Sequence, residues 1–306
     1  MLLRKMRVFR KLGGAVLLMW PLVYPAMASD APAARDAQVA EDTLTVDLGF
    51  EFYFGGLHVL SLAAEGAVGP TRYQLESELR TRGLTNLLFR SVIRSHSSGS
   101  FAAKAAEIAA TDILRPVPQT FETASDGRWG ARRVTIAYAD GDPQQVAAEP
   151  PYSQDNRAPV GDALRRDTVD PQTAALLSIA AGAGERSCGG SVPVFDGRRR
   201  YNLNFTYLGT DELHADKQGF YTGPAMRCRL VYERIAGFDE AYAREHGDGR
   251  EHEVTIWIAA FADGRLHLPV RMMADTRFGK ALGHLRFIDI DASDKPVRAA
   301  GLDANG

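Results

Sequence analysis

The chain has 306 residues, 45% hydrophobic and 24% charged, with 36 lysines and arginines against 38 aspartates and glutamates. A formal charge of −2 makes the chain a poor candidate for nucleic acid, whose phosphates demand a clustered basic face. Beyond the N-terminal segment no stretch is apolar for long enough to cross a bilayer, and the length alone does not force two domains.

Arg4, Lys5, Arg7, Arg10 and Lys11 open the chain without an acidic residue, and the apolar stretch Gly13 to Tyr24 follows. Ala26-Met27-Ala28 supplies a small-x-small pattern, so residues 1–28 read as a secretory leader cut between Ala28 and Ser29. Pro21 and Pro25 argue against a spanning helix, and Ser29 in place of cysteine argues against a lipid anchor. Removing five basic residues leaves 31 against 38, a formal charge of −7. Residues 29–42, rich in Ala, Asp and Pro, read as a flexible lead-in.

Order begins with Leu44, Val46, Leu48, Phe50, Phe52 and Phe54 at alternate positions, the period of a strand with one buried face. Gly55-Gly56 turns the chain into a second strand, Leu57 to Ala64. Tyr73, Leu75 and Leu79 alternate with polar residues in a third. The pattern returns at Val134–Tyr138, Tyr201–Tyr207, Met226–Tyr232, Val254–Ile258 and Leu266–Met272. Asp-Gly pairs at 126, 140, 196 and 263 punctuate these runs. Many one-sided strands without intervening helices predict a mainly β fold: a curved antiparallel sheet, or an open or spiral β-barrel, over residues 43–290.

Asp170-Pro171 opens a short helix through Ala183, with Asp as N-cap, Pro at the first helical position and Gly182 and Gly184 as stops. Its Ala174, Leu176, Leu177 and Ile179 are expected against the sheet. Gln144 to Thr168 reads as a long exposed connection, and Phe101 to Thr111 suits either helix or strand. Residues 291–306 read as a C-terminal tail, and Asp289, Asp291 and Asp294 as part of a solvated tail, because a calcium loop's glycine and closing glutamate are absent.

Cys188 and Cys228 form an even pair, which in an exported chain reads as a disulfide stabilising the fold by roughly 3–4 kcal/mol. The alternative, a catalytic thiol, needs a protected setting and a dedicated base. Three arginines follow the Asp196-Gly197 turn. Counting back from Tyr201 puts Arg199 on the apolar face and Arg198 and Arg200 in solvent. Arg199 then either pins the hairpin as a rim ion pair with Asp196 or meets an anionic headgroup at the mouth of an apolar cavity.

Hydrolase and metalloprotease motifs are absent, and Gly182-Ala183-Gly184 follows a helix instead of opening one. His246 and His252 in the run "REHGDGREHE" match no compact zinc spacing and read as a charged hairpin loop. No catalytic residue, metal or cofactor is assigned. Should the concave face hold an apolar ligand, Phe50, Phe52, Tyr73, Leu75, Tyr201 and Phe205 are the residues expected to line it; filling a core is the ordinary use of such a face.

The order "DTVDPQTAALL", cysteine, "VFDGRRRY", "YTGPAMRCRLVYERIAGF", "EVTIWIAAF" and "LPVRM" resembles the exported proteobacterial family DUF3108, most densely from Thr168 to Met272 and more loosely upstream through "GGLHVLSLAAEG". The resemblance implies a periplasmic antiparallel β protein with its cysteines bridged. It also implies a fold similar to the open half-barrels of lipoprotein-localisation carriers, which hold acyl chains between a curved sheet and short helices. The function expected is non-catalytic: binding of a lipid or acyl ligand, or of an envelope protein, on a disulfide-stapled sheet. An enzyme acting on an envelope component and a structural scaffold are the alternatives.

Overall fold

The alternation at the start of the chain produces β1 (Leu44–Phe54), and Gly55 and Gly56, both at positive φ, turn it into β2 (Leu57–Val68). The computed structural model describes residues 43–69, 71–102, 115–128, 130–154, 157–180, 188–216, 219–239, 251–262, 264, 266–276 and 279–291. The expected leader with its cut at Ala28/Ser29, the lead-in, most of the Phe101–Thr111 stretch, Gly182, Gly184, His246 and Asp294 lie outside these residues, as do the side chains of Ile179 and His252.

The strands continue as β3 (Arg72–Thr81), β4 (Ser91–Ala102), β5 (Arg115–Gly127), β6 (Arg132–Ala139), β7 (Asp142–Glu149) and β8 (Gly190–Phe195). They end with β9 (Arg200–Leu213), β10 (Gly223–Ala236), β11 (Glu251–Phe261), β12 (Leu266–Thr276) and β13 (Gly279–Asp291). Among the described residues three short α-helices accompany them: α1 (Gly83–Leu88), α2 (Asp162–Arg165) and α3 (Pro171–Ala180). All thirteen strands form one antiparallel sheet in the order β7-β6-β5-β4-β3-β2-β1-β13-β12-β11-β10-β9-β8. Every neighbour is consecutive in sequence except β1 and β13, so the chain is a meander whose first and last strands pair. The opening in the sheet falls between β7 and β8, which do not pair.

The segment joining those two edges closes over the inside of the curl. Val169 donates to the Pro193 carbonyl and accepts from the Phe195 amide, shielding the β8 edge. Helix α3 then touches β4, β5, β8 and β12. Leu176 packs with Tyr73 and Phe101, and Ala174 with Val194 and Tyr201. Phe195 and Val160 complete a cluster with Phe121, Val134 and Ile136, drawing the β8 end onto β5 and β6. Phe50, Trp257, Val270 and Leu285 fill the region between β1 and β11–β13.

Three expectations are corrected, and the open reading of the 101–111 stretch is decided at its start. Gln144–Thr168 is not all exposed connection: Asp140 and Gly141, at φ 53° and 84°, make a tight turn that sends the chain back as β7 against β6. The described start of the 101–111 stretch is strand, with Phe101 buried at the end of β4. Asp289 and Asp291 belong to β13, opposite Asp47 and Thr45, because the last strand is needed to pair with the first. Arg198, expected in solvent, is buried.

Register also decides which features share an end of the sheet. Phe54 pairs with both Leu57 and Ala281, Leu60 with Thr81, Ser91 with Gly127, and Arg200 with Ala236. The β1–β2 turn, α1, the β5–β6 connection and the β8–β9 hairpin therefore lie at one end.

Candidate functional site

The β8–β9 hairpin is built around Asp196. Its Oδ1 accepts from the backbone amides of Arg198 and Arg199 at 2.9 and 2.7 Å, and its Oδ2 takes Arg199 Nε and Nη2 at 2.8 Å. This side-chain turn interrupts the alternation before β9 begins at Arg200, so parity cannot be carried back to Arg198. Gly197, at φ 88°, lies so close to Val134 that a Cβ would meet Cγ1 at 2.1 Å. The turn thus presses on β6 and drives Arg198 inward. There its guanidinium donates to the Pro150 carbonyl at 2.5 Å and lies 5.5 Å from the Tyr152 ring centre. Tyr152 in turn donates to the Gly197 carbonyl.

Arg199 instead joins a cleft of about 690 Å³ lined by Arg157, Tyr201, Tyr232, Arg234, Phe238 and Asp239. Tyr201 and Arg234 are direct cross-strand partners on β9 and β10, and Tyr232 lies two residues before Arg234 on the same face. The Tyr201 and Tyr232 rings are 4.5 Å apart, and Phe238 meets Tyr232 edge-on at 6.2 Å. A register shift after Arg234, then Gly237 at φ 78°, fold the chain back so that Phe238 lies 4.3 Å from the Arg234 guanidinium. A side chain at Gly237 would put its Cβ 2.1 Å from the Arg198 carbonyl oxygen.

Among the described residues the cleft's charge is lopsided: three arginines face one lining carboxylate, and neither Arg157 nor Arg234 forms an ion pair. Burial would lower the Arg199 guanidinium, but Asp196 outweighs it and the group is held above its ordinary value. Burial pushes the Tyr232 phenol up to about 12, against the pull of Arg199, and pushes Tyr201 higher still. Both phenols therefore stay protonated as donors at neutral pH. Fixed cations beside an aromatic wall suit an anionic group attached to an apolar body.

The six residues expected to line one cavity do not share one. Phe50 packs with Leu285 and Trp257, and Phe52 lies against that cluster. Tyr73 and Leu75 pack around Leu176 of α3, which occupies the space a ligand would need there. Phe205 is half-buried opposite Leu230. Of the six, Tyr201 reaches the cleft. Cys188 and Cys228 are bridged, with Cα atoms 5.6 Å apart, and fasten the chain before β8 to the middle of β10 among Ile256 and Ile258.

A second polar constellation is wholly internal. Asp170 Oδ1 caps α3 by accepting from the Gln172 and Thr173 amides at 3.0 Å. Its Oδ2 accepts from Thr173 Oγ1 at 2.5 Å and Ser97 Oγ at 3.0 Å, and the Tyr73 hydroxyl is 2.8 Å from Thr173 Oγ1. Asp170, Ser97 and Thr173 have no exposed surface, so the group staples α3 to β3 and β4 and is closed to a substrate. The sequence announced the cap but not its partners, which come from a strand whose serines carry no apolar alternation.

The family described as "Protein of unknown function (DUF3108)" matches residues 50–286, and the chain belongs to that family. No curated protein gives a significant match. Among solved structures, a "Beta-barrel-like Protein of Domain of Unknown Function DUF1849" from Brucella abortus is 11% identical, with 81% of this chain and 98% of that chain covered and a TM-score of 0.45. A DUF1329 family protein from Desulfovibrio piger is 7% identical, covering 85% and 90%, with a TM-score of 0.20.

Proposed function

We propose that this DUF3108 protein is a non-catalytic periplasmic binding protein for an anionic amphiphile of lipid-like chemistry. The observation that carries the reading is the cleft that Arg157, Arg199 and Arg234 line together with Tyr201, Tyr232 and Phe238, with Arg234 lying over the Phe238 ring. The anionic head would pair with the arginines and the apolar part would lie along the rings. A volume of about 690 Å³ matches a head and part of a chain, with the remainder reaching out of the mouth. The Cys188–Cys228 bridge supports an oxidising compartment, as does the secretory pattern of residues 1–28.

The test is mass spectrometry of small molecules extracted from protein purified out of a periplasm, alongside titration with a fluorescent fatty acid. A co-purified anionic amphiphile that disappears in Arg157→Ala/Arg234→Ala, with folding intact, is expected. Absence of such a molecule together with no saturable uptake of the probe would overturn the reading.

A further inference from the structure

Between Arg80 and Arg94 the chain holds four arginines and no carboxylate, and at its centre stands Gly83-Leu84-Thr85-Asn86-Leu87-Leu88-Phe89. Helix α1 buries none of its residues. Leu84, Leu87, Leu88 and Phe89 are 64%, 81%, 60% and 43% exposed, and Leu57, on β2 at the same end of the sheet, is 58% exposed. Scattered surface leucines need no explanation, but five large apolar side chains at one tip mark an interaction surface.

The tip is held in place. The Arg82 amide donates to the Val59 carbonyl at 2.8 Å, Arg82 Nε donates to Ser61 Oγ at 2.7 Å, and Thr81 Oγ1 donates to Asn86 Oδ1 at 3.1 Å. Arg128, from beyond β5, donates to the Leu88 carbonyl at 3.1 Å. Among the described residues Arg82, Arg90 and Arg128 form no ion pair, while Glu78 is taken up by Arg80 and Arg94. The neighbouring carboxylate is Asp126, at the end of β5.

We infer that this end of the sheet docks on an anionic phospholipid surface, with the α1 leucines and Phe89 entering the interface and Arg82, Arg90 and Arg128 pairing with phosphates. Apolar insertion combined with a basic rim is the chemistry of interfacial membrane binding. A second copy is a poorer occupant, because face-to-face tips would bring unpaired arginines together. The inference rests on α1 and its rim and stands whether or not the cleft holds a ligand. The hairpin carrying Arg199 lies at the same end, so docking would bring the cleft close to the bilayer.

The full chain is floated with phosphatidylcholine vesicles and with vesicles that also contain phosphatidylglycerol. Salt-sensitive flotation with the anionic vesicles is expected, reduced at least about tenfold by Leu87→Ser/Leu88→Ser, since each leucine withdrawn forfeits its apolar burial. Arg90→Gln/Arg128→Gln should abolish the preference for anionic lipid, and Arg234→Ala should leave flotation unchanged while weakening ligand retention. These exposed positions leave the fold intact, which circular dichroism checks. Failure of the unaltered protein to float, or equal flotation of the leucine variant, would overturn the inference. So would a dimer in sedimentation that the leucine variant dissolves.

Discussion

Arg198 and Arg199 are adjacent in the chain and face different surroundings: Arg198 is buried on the Pro150 carbonyl and the Tyr152 ring, while Arg199, its side chain 46% exposed, pairs with Asp196 at the edge of the cleft. The Asp196 turn between β8 and β9 causes the split.

Arg198→Ala should therefore destabilise the protein by about 1–3 kcal/mol, having removed a buried charge-assisted hydrogen bond and the packing of its stem. Arg199→Ala should change stability by no more than about 1 kcal/mol, as exposed ion pairs do, and should weaken ligand retention. Urea unfolding of both variants checks the ranking; the reverse order would show that the hairpin is misread.

Asp170 separates cap from charge. Burial pushes its carboxyl above the usual range, against the donors from Thr173, Ser97 and Gln172. Asp170→Asn keeps an acceptor for the two amides and lets the hydroxyls turn, so it should cost less than about 1 kcal/mol. Asp170→Ala loses the cap and strands two buried hydroxyls, and should cost about 2–4 kcal/mol. Thermal unfolding at neutral pH distinguishes the two; equal losses would refute the staple.

On the solvent face Glu76, Glu65, Asp47 and Asp289 stand directly opposite one another across β3, β2, β1 and β13. Burial and these neighbours raise the Asp47 and Glu65 carboxyls. Their folded values lie above the unfolded ones, so their contribution to stability is present at low pH and is lost as pH rises through the folded values. Glu65→Lys should stabilise the protein by about 0.5–1 kcal/mol at pH 7 and by less at pH 4. A destabilised variant at neutral pH would sink this account.

His284 works in the opposite direction. It is 2% exposed, and among the described residues neither ring nitrogen has a hydrogen-bond partner. Glu51 and Arg271 are its cross-strand neighbours, Arg286 follows on its own strand, and the loop carrying Asp216 and Gly219 lies against it. Burial lowers the imidazole below its ordinary 6.5, opposed by Asp216 and assisted by Arg271 and Arg286. The folded value lies below the unfolded one, so stability is present above about pH 6.5 and falls as pH drops. His284→Gln should flatten the loss of unfolding free energy between pH 7.5 and 5.5, while His267, lowered by burial, leaves a residual slope. Parallel pH profiles for variant and parent would refute it.

The strands with clean alternation were legible as sequence because a half-buried strand must place apolar groups every second residue: β1, β3, β6, β9, β10, β11 and β12 declare themselves. β4, β5 and β13 did not, since Ser95, Ser97, Thr123 and Asp289 satisfy hydrogen bonds or meet solvent where an apolar group would have signalled. In the arginine run Arg199 pairs with Asp196, and the buried member is Arg198, which strand parity had placed in solvent.

By itself, the sequence determined the fold class and the capped helix at Asp170, which follow from local periodicity and backbone chemistry, and the disulfide, which follows from the chain having two cysteines. Tertiary structure alone decided that the first strand would pair with the last, that α3 would occupy the concave face, and that Arg157, Arg199 and Arg234 would line one cleft with three aromatic rings. The physical reason is distance along the chain. Register between residues tens of positions apart depends on how the sheet curls and where its edges stop, and no local pattern carries that information.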